Sequence, residues 1–368
     1  MSRTPLSGIL PDFPWDSLAD AKAKASSHPD GIVNLSVGTP VDDVAPSIQL
    51  ALASNAAEPG YPQTIGIPDL RRAIPDWMDR RHGVSGLDVD HVLPVIGTKE
   101  AIAWLPAQLG IRDGLVVIPE LAYPTYEVAA LLAGNRILRS DSLLKLGPEV
   151  PDLIFLNSPA NPHGKVLGID HLRKFVEYAR ENNVIVASDE CYIGLGWDDD
   201  NEPVSILDPR VCDGDFTNLI AIHSLSKSSN LASYRAGFFA GDESLIKELL
   251  GVRKHAGLMM PGPIQHAMLA ALRDDDQEHL QKLRYASRRA KLLEALTDNG
   301  FTVDSSEAGL YLWATRGEDC RATVDWLAER GILAAPGDFY GPTGSQHVRI
   351  GLTATDERID AACARLAQ

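Results

Sequence analysis

Hydrophobic positions along the chain fall into two kinds of pattern. Short unbroken apolar runs recur in HVLPVIG (91–97), GLVVIP (114–119), DLIFLN (152–157), NVIVASD (183–189), LIAIHS (219–224) and AGFFAG (236–241). Runs of that length and composition read as strands buried on both faces. Amphipathic stretches lie between several of them. In GIDHLRKFVEYARENN (168–183), Leu172, Phe175, Val176 and Ala179 recur at helical spacing and make one apolar face. Strands alternating with helices predict an α/β architecture, a mostly parallel central sheet between helices. The pattern changes towards the C-terminus. A long helical stretch over about 265–298 is followed by short strands around GFTVDSS, GLYLWAT and HVRIGLT and by a final helix over roughly 355–367. IVNLSVG (32–38) has no helical partner of its own and is expected to join this smaller α+β part. The expected organisation is an N-terminal segment 1–45 joining the small domain, a large domain 46–264 and a small C-terminal domain 265–368.

A chain of 368 residues is long for one compact core, which agrees with that division. Its 34 basic and 50 acidic residues give a net charge of -16, which argues against nucleic acid or an anionic membrane as partner. A local basic pocket for a small anionic substrate remains compatible with it. The cysteines (191, 212, 320, 363) are far apart, with no paired or histidine-flanked spacing, so no metal site is expected. The opening MSRTPLSGILPDFPWD has no apolar segment of the signal-peptide kind, and no run approaches the length of a membrane span. A cytosolic protein is expected.

Candidate chemistry gathers after the predicted strands, where open α/β sheets bind ligands. Lys227, in Ser224-Leu225-Ser226-Lys227, stands away from any basic run. A desolvated lysine there becomes a nucleophilic amine able to form a Schiff base. Asp189 ends an apolar strand, where a carboxylate needs a cationic partner. A protonated pyridine nitrogen, as in pyridoxal phosphate (PLP), is such a partner, and Tyr192 lies within reach of the same ring. Asn161 sits in the rigid turn Asn157-Ser158-Pro159-Ala160-Asn161-Pro162-His163-Gly164. Gly97-Thr98-Lys99 joins a strand to a helix N-terminus, an anion site made of free N–H groups. Arg235 and the Ser224 hydroxyl are placed to serve the same phosphate. Each feature alone has a plainer reading: a surface lysine, a capped helix, an ordinary loop. Their joint order along the chain is what carries weight.

With YPQTIGIPDLR (61–71), GTKEA (97–101), PELAYPTYE (119–127), NSPANPHG (157–164), SDECY (188–192), HSLSKSSNLASYRAGF (223–238) and VRIGL (348–352), the chain resembles the fold-type I PLP-dependent aminotransferases of class I/II, the aspartate aminotransferase superfamily. The resemblance covers nearly the whole chain and implies that PLP is the cofactor. It implies that Lys227 carries the cofactor and moves the proton, Asp189 pairs with the ring nitrogen, and Asn161 and Tyr192 bond the ring oxygen. It further implies that Tyr123 stacks on the ring and that Thr98, Ser224, Arg235 and the Gly97–Lys99 backbone bind the phosphate. Tyr61 would reach the phosphate in a neighbouring subunit, making a homodimer with a shared site. Arg349 would grip the substrate α-carboxylate, with a backbone contact from Gly38 and Asn161 alongside.

The aspartate enzymes have tryptophan at the position of Tyr123, and no counterpart of their second, side-chain-reading arginine stands out. Within the superfamily the chain most resembles actinobacterial N-succinyldiaminopimelate aminotransferases of lysine and diaminopimelate biosynthesis, with glutamate/2-oxoglutarate as the second pair and ping-pong kinetics. Lys99, Arg253 and Lys254 are the candidate cations at the pocket mouth for such a substrate. The alternatives are a broad-specificity aromatic, aspartate or alanine aminotransferase and a C–S β-lyase. A DNA-binding PLP regulator is disfavoured by the acidic charge and by motifs that begin near residue 34. The histidines 163, 223, 255 and 266 are read as polar loop or surface residues.

Overall fold

The apolar runs assemble into one seven-stranded sheet, in a computed structural model that describes residues 5–368. Residues 1–4 of the N-terminal segment lie outside the described residues. In chain order the first strands are β1 (Val33–Asn34), β2 (Val92–Ile96), β3 (Leu115–Ile118), β4 (Arg136–Arg139), β5 (Leu153–Asn157), β6 (Ile185–Asp189), β7 (Leu219–Ser224) and β8 (Ala236–Gly241). The large sheet has the order β2-β8-β7-β6-β5-β3-β4. Only β8 runs against its neighbours; the rest are parallel. Successive residues of one strand enter different cores. Leu153 and Phe155 pack with Ile102, Leu105 and Tyr126 on one face. Ile154 and Leu156 pack with Trp77, Leu172, Phe175 and Val176 on the other. Helices thus cover both faces, which is why these strands read as unbroken apolar runs. β4 was not expected. It is an edge strand whose sequence, RILR, carries arginine at both ends, so it makes no apolar run.

The C-terminal part forms a second, antiparallel sheet of order β12-β13-β10-β9, from β9 (Thr302–Asp304), β10 (Tyr311–Thr315), β12 (Ala335–Pro336) and β13 (Val348–Gly351). Next to it β1 pairs in parallel with β11 (Ile332–Leu333), so IVNLSVG does join this part of the molecule. Leu18, Val33 and Leu35 share a core with Leu292, Leu312, Ile350 and Ile359.

The long helix expected over about 265–298 is two helices, Gly262–Arg273 and Asp275–Asp298. Asp274 breaks it: its backbone leaves the helical region and its carboxylate caps the second helix by accepting from Gln277 N–H at 3.2 Å. Ala267, Met268 and Leu272 of the first helix pack into the core of the large sheet, whereas Leu292 and Leu296 of the second belong to the smaller core. Residues 265–273 therefore pack with the large sheet, not with the C-terminal one.

Candidate active site

A cavity of about 570 Å³ opens at the carboxyl edge of the parallel strands, between the large sheet and the segment that follows β1. Gly38, Thr98, Lys99, Tyr123, Asn161, Asp189, Tyr192, Ser224, Lys227, Arg235 and Arg349 all line it. Arg235 was read as following a strand, but it precedes β8. It reaches the same edge because β8 runs backwards, so its first residue lies where the other strands end. Tyr61 stands apart, 99% exposed and away from this cavity; a single chain does not bring it to the site.

Lys227 lies in the short helix Leu225–Ser228 directly after β7. Its Nζ donates a hydrogen bond to the Gly38 carbonyl. Burial lowers its pKa, which favours the neutral, nucleophilic amine.

Asp189 is the last residue of β6 and is buried. Tyr126 Oη donates to its Oδ2 at 2.7 Å and the Cys191 N–H donates to its Oδ1 at 3.2 Å. It forms no salt bridge among the described residues, and burial pushes its pKa up despite these donors. A buried carboxylate without a cation is costly. A protonated ring nitrogen presented from the cavity would supply the missing partner.

Arg349, in β13, is the mirror case: a guanidinium 2% exposed with no carboxylate partner among the described residues. Nη1 donates to Asn161 Oδ1 at 2.8 Å and Nη2 to the Ser36 carbonyl at 2.7 Å. Nε has no acceptor. The guanidinium lies 3.8 Å from the centre of the Tyr311 ring. Fixed in this way at the cavity wall, it is arranged for a carboxylate from outside. Asn161 is itself held by a 2.7 Å bond from its N–H to Asn157 Oδ1. That leaves the Asn161 amide group as a donor towards the cavity.

The helix Thr98–Gln108 starts with Gly97 at φ +86° and no side-chain cap, so its first N–H groups are free. Arg235 presses its guanidinium on Gly97, where any Cβ would overlap it. The Ser224 and Ser226 hydroxyls line the same end. Free N–H groups, a guanidinium and hydroxyls together suit a phosphate. The Gly97→Ala variant is expected to lose at least tenfold in PLP affinity, through the overlap and a backbone region costing about 1–3 kcal/mol for a non-glycine residue. Titration of the apoprotein with PLP measures this.

Of the cations expected at the mouth, only Lys99 lines the cavity. It is exposed, with Nζ 5.6 Å from the centre of the Phe13 ring. Arg253 is 0% exposed and paired with Glu100 at 2.8 Å, so it cannot face a substrate. Lys254, at the end of helix Glu243–Ala256, points to solvent outside this cavity. His223 also departs from the expectation of a loop or surface residue. It is buried in β7, with Nε2 3.1 Å from Glu190 Oε2 and its ring stacked on Phe238 at 4.9 Å between centres. The sequence reading missed Phe13, Trp15, Ser226 and Tyr311 on the cavity wall, and Tyr126 behind Asp189. Among these, Tyr126 had a faint signal, one helical turn after Tyr123.

A profile of the family "Aminotransferase class I and II" matches residues 30–366. The chain belongs to that family. A probable aminotransferase of Mycobacterium tuberculosis is 64% identical, over 99% of this chain and 87% of that one. The 4-dedimethylamino-4-oxo-anhydrotetracycline transaminase OxyQ of Streptomyces rimosus is 54% identical, over 97% and 99%. An LL-diaminopimelate aminotransferase of Dehalococcoides mccartyi is 30% identical, over 97% and 96%. Among solved structures, an aminotransferase of Neisseria meningitidis superposes with a TM-score of 0.87 at 29% identity, covering 99% of both chains. The aminotransferase has the fold-type I architecture, and its cofactor is PLP. The unpaired Asp189, the anion cup at Gly97–Arg235 and the buried amine of Lys227 all fit that cofactor. No helix among the described residues is long and apolar enough to cross a membrane.

Proposed function

We propose that this aminotransferase transfers the amino group between N-succinyl-LL-2,6-diaminopimelate and the glutamate/2-oxoglutarate pair, in lysine and diaminopimelate biosynthesis in the cytoplasm. The observation that carries the reading is the cavity itself. It is roomy at about 570 Å³, and beyond Lys227, Arg235 and Arg349 the cation on its wall is the exposed Lys99, which has no carboxylate partner among the described residues. A long substrate with a distal carboxylate fits that arrangement better than aspartate, which would call for a second fixed arginine. The similarity to an LL-diaminopimelate aminotransferase supports it. A second reading has its own support: the 54% identity to OxyQ and the aromatic wall of Phe13, Trp15 and Tyr123 favour a bulky cyclic ketone as amino acceptor.

PLP, when bound, supplies an aldehyde that condenses with amines and a ring that delocalises charge from the substrate α-carbon. The chain does the rest. Lys227 would hold the cofactor through Nζ and, as a free amine, would take the substrate α-proton and deliver it to the cofactor's former aldehyde carbon, two bonds away. Asp189, oriented by Tyr126, keeps the proton on the ring nitrogen. The Asn161 amide and the Tyr192 hydroxyl donate to the ring oxygen, and Tyr123 covers a ring face. The Gly97–Lys99 backbone, Thr98, Ser224 and Arg235 hold the phosphate. Arg349, with Gly38 and Asn161 nearby, fixes the substrate carboxylate and so the α-bond that breaks. Tyr61 completes the phosphate site of a neighbouring copy, in a homodimer with a shared active site. Release of the first keto acid before the second binds makes the kinetics ping-pong.

The test is a single-turnover screen. The PLP form is mixed separately with L-glutamate, N-succinyl-LL-diaminopimelate, L-aspartate and L-phenylalanine, and loss of the visible band of the lysine-bound cofactor is followed. Fast loss with the first two and slow loss with the others is expected; the reverse ranking overturns the substrate reading. Keto acid formed over many turnovers from an S-substituted cysteine, with no amino acceptor present, would point to a C–S β-lyase instead.

A further inference from the structure

Tyr311 touches both halves of the site. It lies in β10, where its neighbour two residues on, Trp313, pairs with Arg349 of β13. Its ring face receives the Arg349 guanidinium at 3.8 Å. Its hydroxyl is 3.3 Å from the Tyr192 hydroxyl, the two rings meeting edge to face at 74°. The same hydroxyl abuts Gly38, the residue whose carbonyl accepts from Lys227, so closely that any Cβ at position 38 would overlap it. A phenylalanine would fill the same ring volume. The hydroxyl instead costs burial and adds the closest overlap with a Cβ at position 38, beyond that of the ring, which a packing role alone does not explain.

We propose that Tyr311 is a positioning residue with two separable roles: its ring face holds the Arg349 fork for the substrate carboxylate, and its hydroxyl donates to Tyr192, strengthening Tyr192 as a donor to the cofactor ring oxygen. The proposal rests on the roles given above to Arg349 and Tyr192. The charged and titratable groups that face Tyr311 are Arg349, Lys227, Tyr192 and Cys191, with Tyr123, Tyr285 and Tyr340 around them. Burial pushes the Tyr311 phenol up, but the positive charges of Arg349 and Lys227 pull it down, below the ordinary value. Burial pushes Tyr192 well up. At 3.3 Å either hydroxyl can donate to the other; with the Tyr192 hydrogen given to the cofactor ring oxygen, the Tyr192 oxygen is left to accept from Tyr311. A donor to that oxygen stabilises its negative charge. It therefore lowers the pH at which the proton shared between the oxygen and the lysine nitrogen is lost.

The test compares Tyr311→Phe and Tyr311→Leu holoenzymes, with Tyr192→Phe and Arg349→Gln as references. The pH midpoint of the visible cofactor band is read without substrate, and KM and kcat with L-glutamate. Tyr311→Phe is expected to raise the midpoint by about half to one pH unit, one hydrogen bond's worth, with KM within about twofold. Tyr311→Leu is expected to raise KM roughly three- to thirtyfold, from loss of the cation–π face. If Tyr192→Phe moves the midpoint and Tyr311→Phe does not, the hydroxyl role is overturned. If Arg349→Gln raises KM and Tyr311→Leu does not, the ring role is overturned. Reference variants that move neither quantity would overturn the assignments of Tyr192 and Arg349, and the Tyr311 proposal with them. Tyr311→Phe keeps the ring packing, so its reading survives even if Tyr311→Leu fails to fold.

Discussion

Lys227→Ala is expected to stop turnover, with kcat falling at least about 10⁴-fold, the upper range for removing a positioned general acid–base. It should also abolish the visible band of the lysine-bound cofactor while leaving the melting temperature close to that of the parent protein. Lys99, the other lysine on the cavity wall, is exposed near Phe13, whereas Lys227 is half-buried with its Nζ on the Gly38 carbonyl. Alanine in place of Lys227 removes one buried hydrogen-bond donor and no apolar core residue, so the fold should survive. Steady-state rates and an absorbance spectrum after PLP addition decide it. A variant with parental activity would leave the account without its central residue.

Arg349→Leu is expected to cost about 2–5 kcal/mol of transition-state binding, a loss of roughly 30- to 5,000-fold in kcat/KM. Most of it should appear in KM for the amino-acid donor, with PLP affinity and the absorbance spectrum unchanged, because Arg349 touches Asn161 and Ser36 but lies away from the phosphate cup. Arg349→Lys should recover little, since an ammonium keeps the charge and loses the planar fork that holds a carboxylate in two parallel bonds. The leucine variant should also melt no lower than the parent, since a buried guanidinium without a carboxylate destabilises the empty site. A lower melting temperature with unchanged KM would mark Arg349 as structural.

The physical reasons for what the sequence disclosed and what it hid are specific. The strands of the large sheet other than β4 were legible because they are covered on both faces and so carry unbroken apolar runs, as in residues 153–156 and Ala236–Gly241. Hydrophobic pattern carries no direction, however, so nothing in AGFFAG told that β8 runs backwards or that Arg235 would enter the site from the start of a strand. The edge strand β4 escaped because its arginines interrupt the apolar run. The acidic run Asp274–Asp276 reads as a solvated turn, and Asp274 does break the helix there, but Asp275 and Asp276 already belong to the helix that follows. Charge alone does not tell a substrate-facing cation from a buried one: Lys99 lines the cavity while Arg253 is consumed by Glu100, a partner distant in sequence. Tyr126 and Tyr311 escaped because their rings belong to the cores. Their hydroxyls act across elements, on Asp189 and Tyr192, and such contacts appear only after folding. Tyr61 shows no role in one chain, since its expected partner belongs to another copy.

The most direct test of the account is to reduce the PLP-loaded enzyme with borohydride, digest it and locate the pyridoxyl group by mass spectrometry. The account predicts a single modified peptide carrying the group on Lys227. Modification of Lys99 or of any other lysine in its place would contradict it.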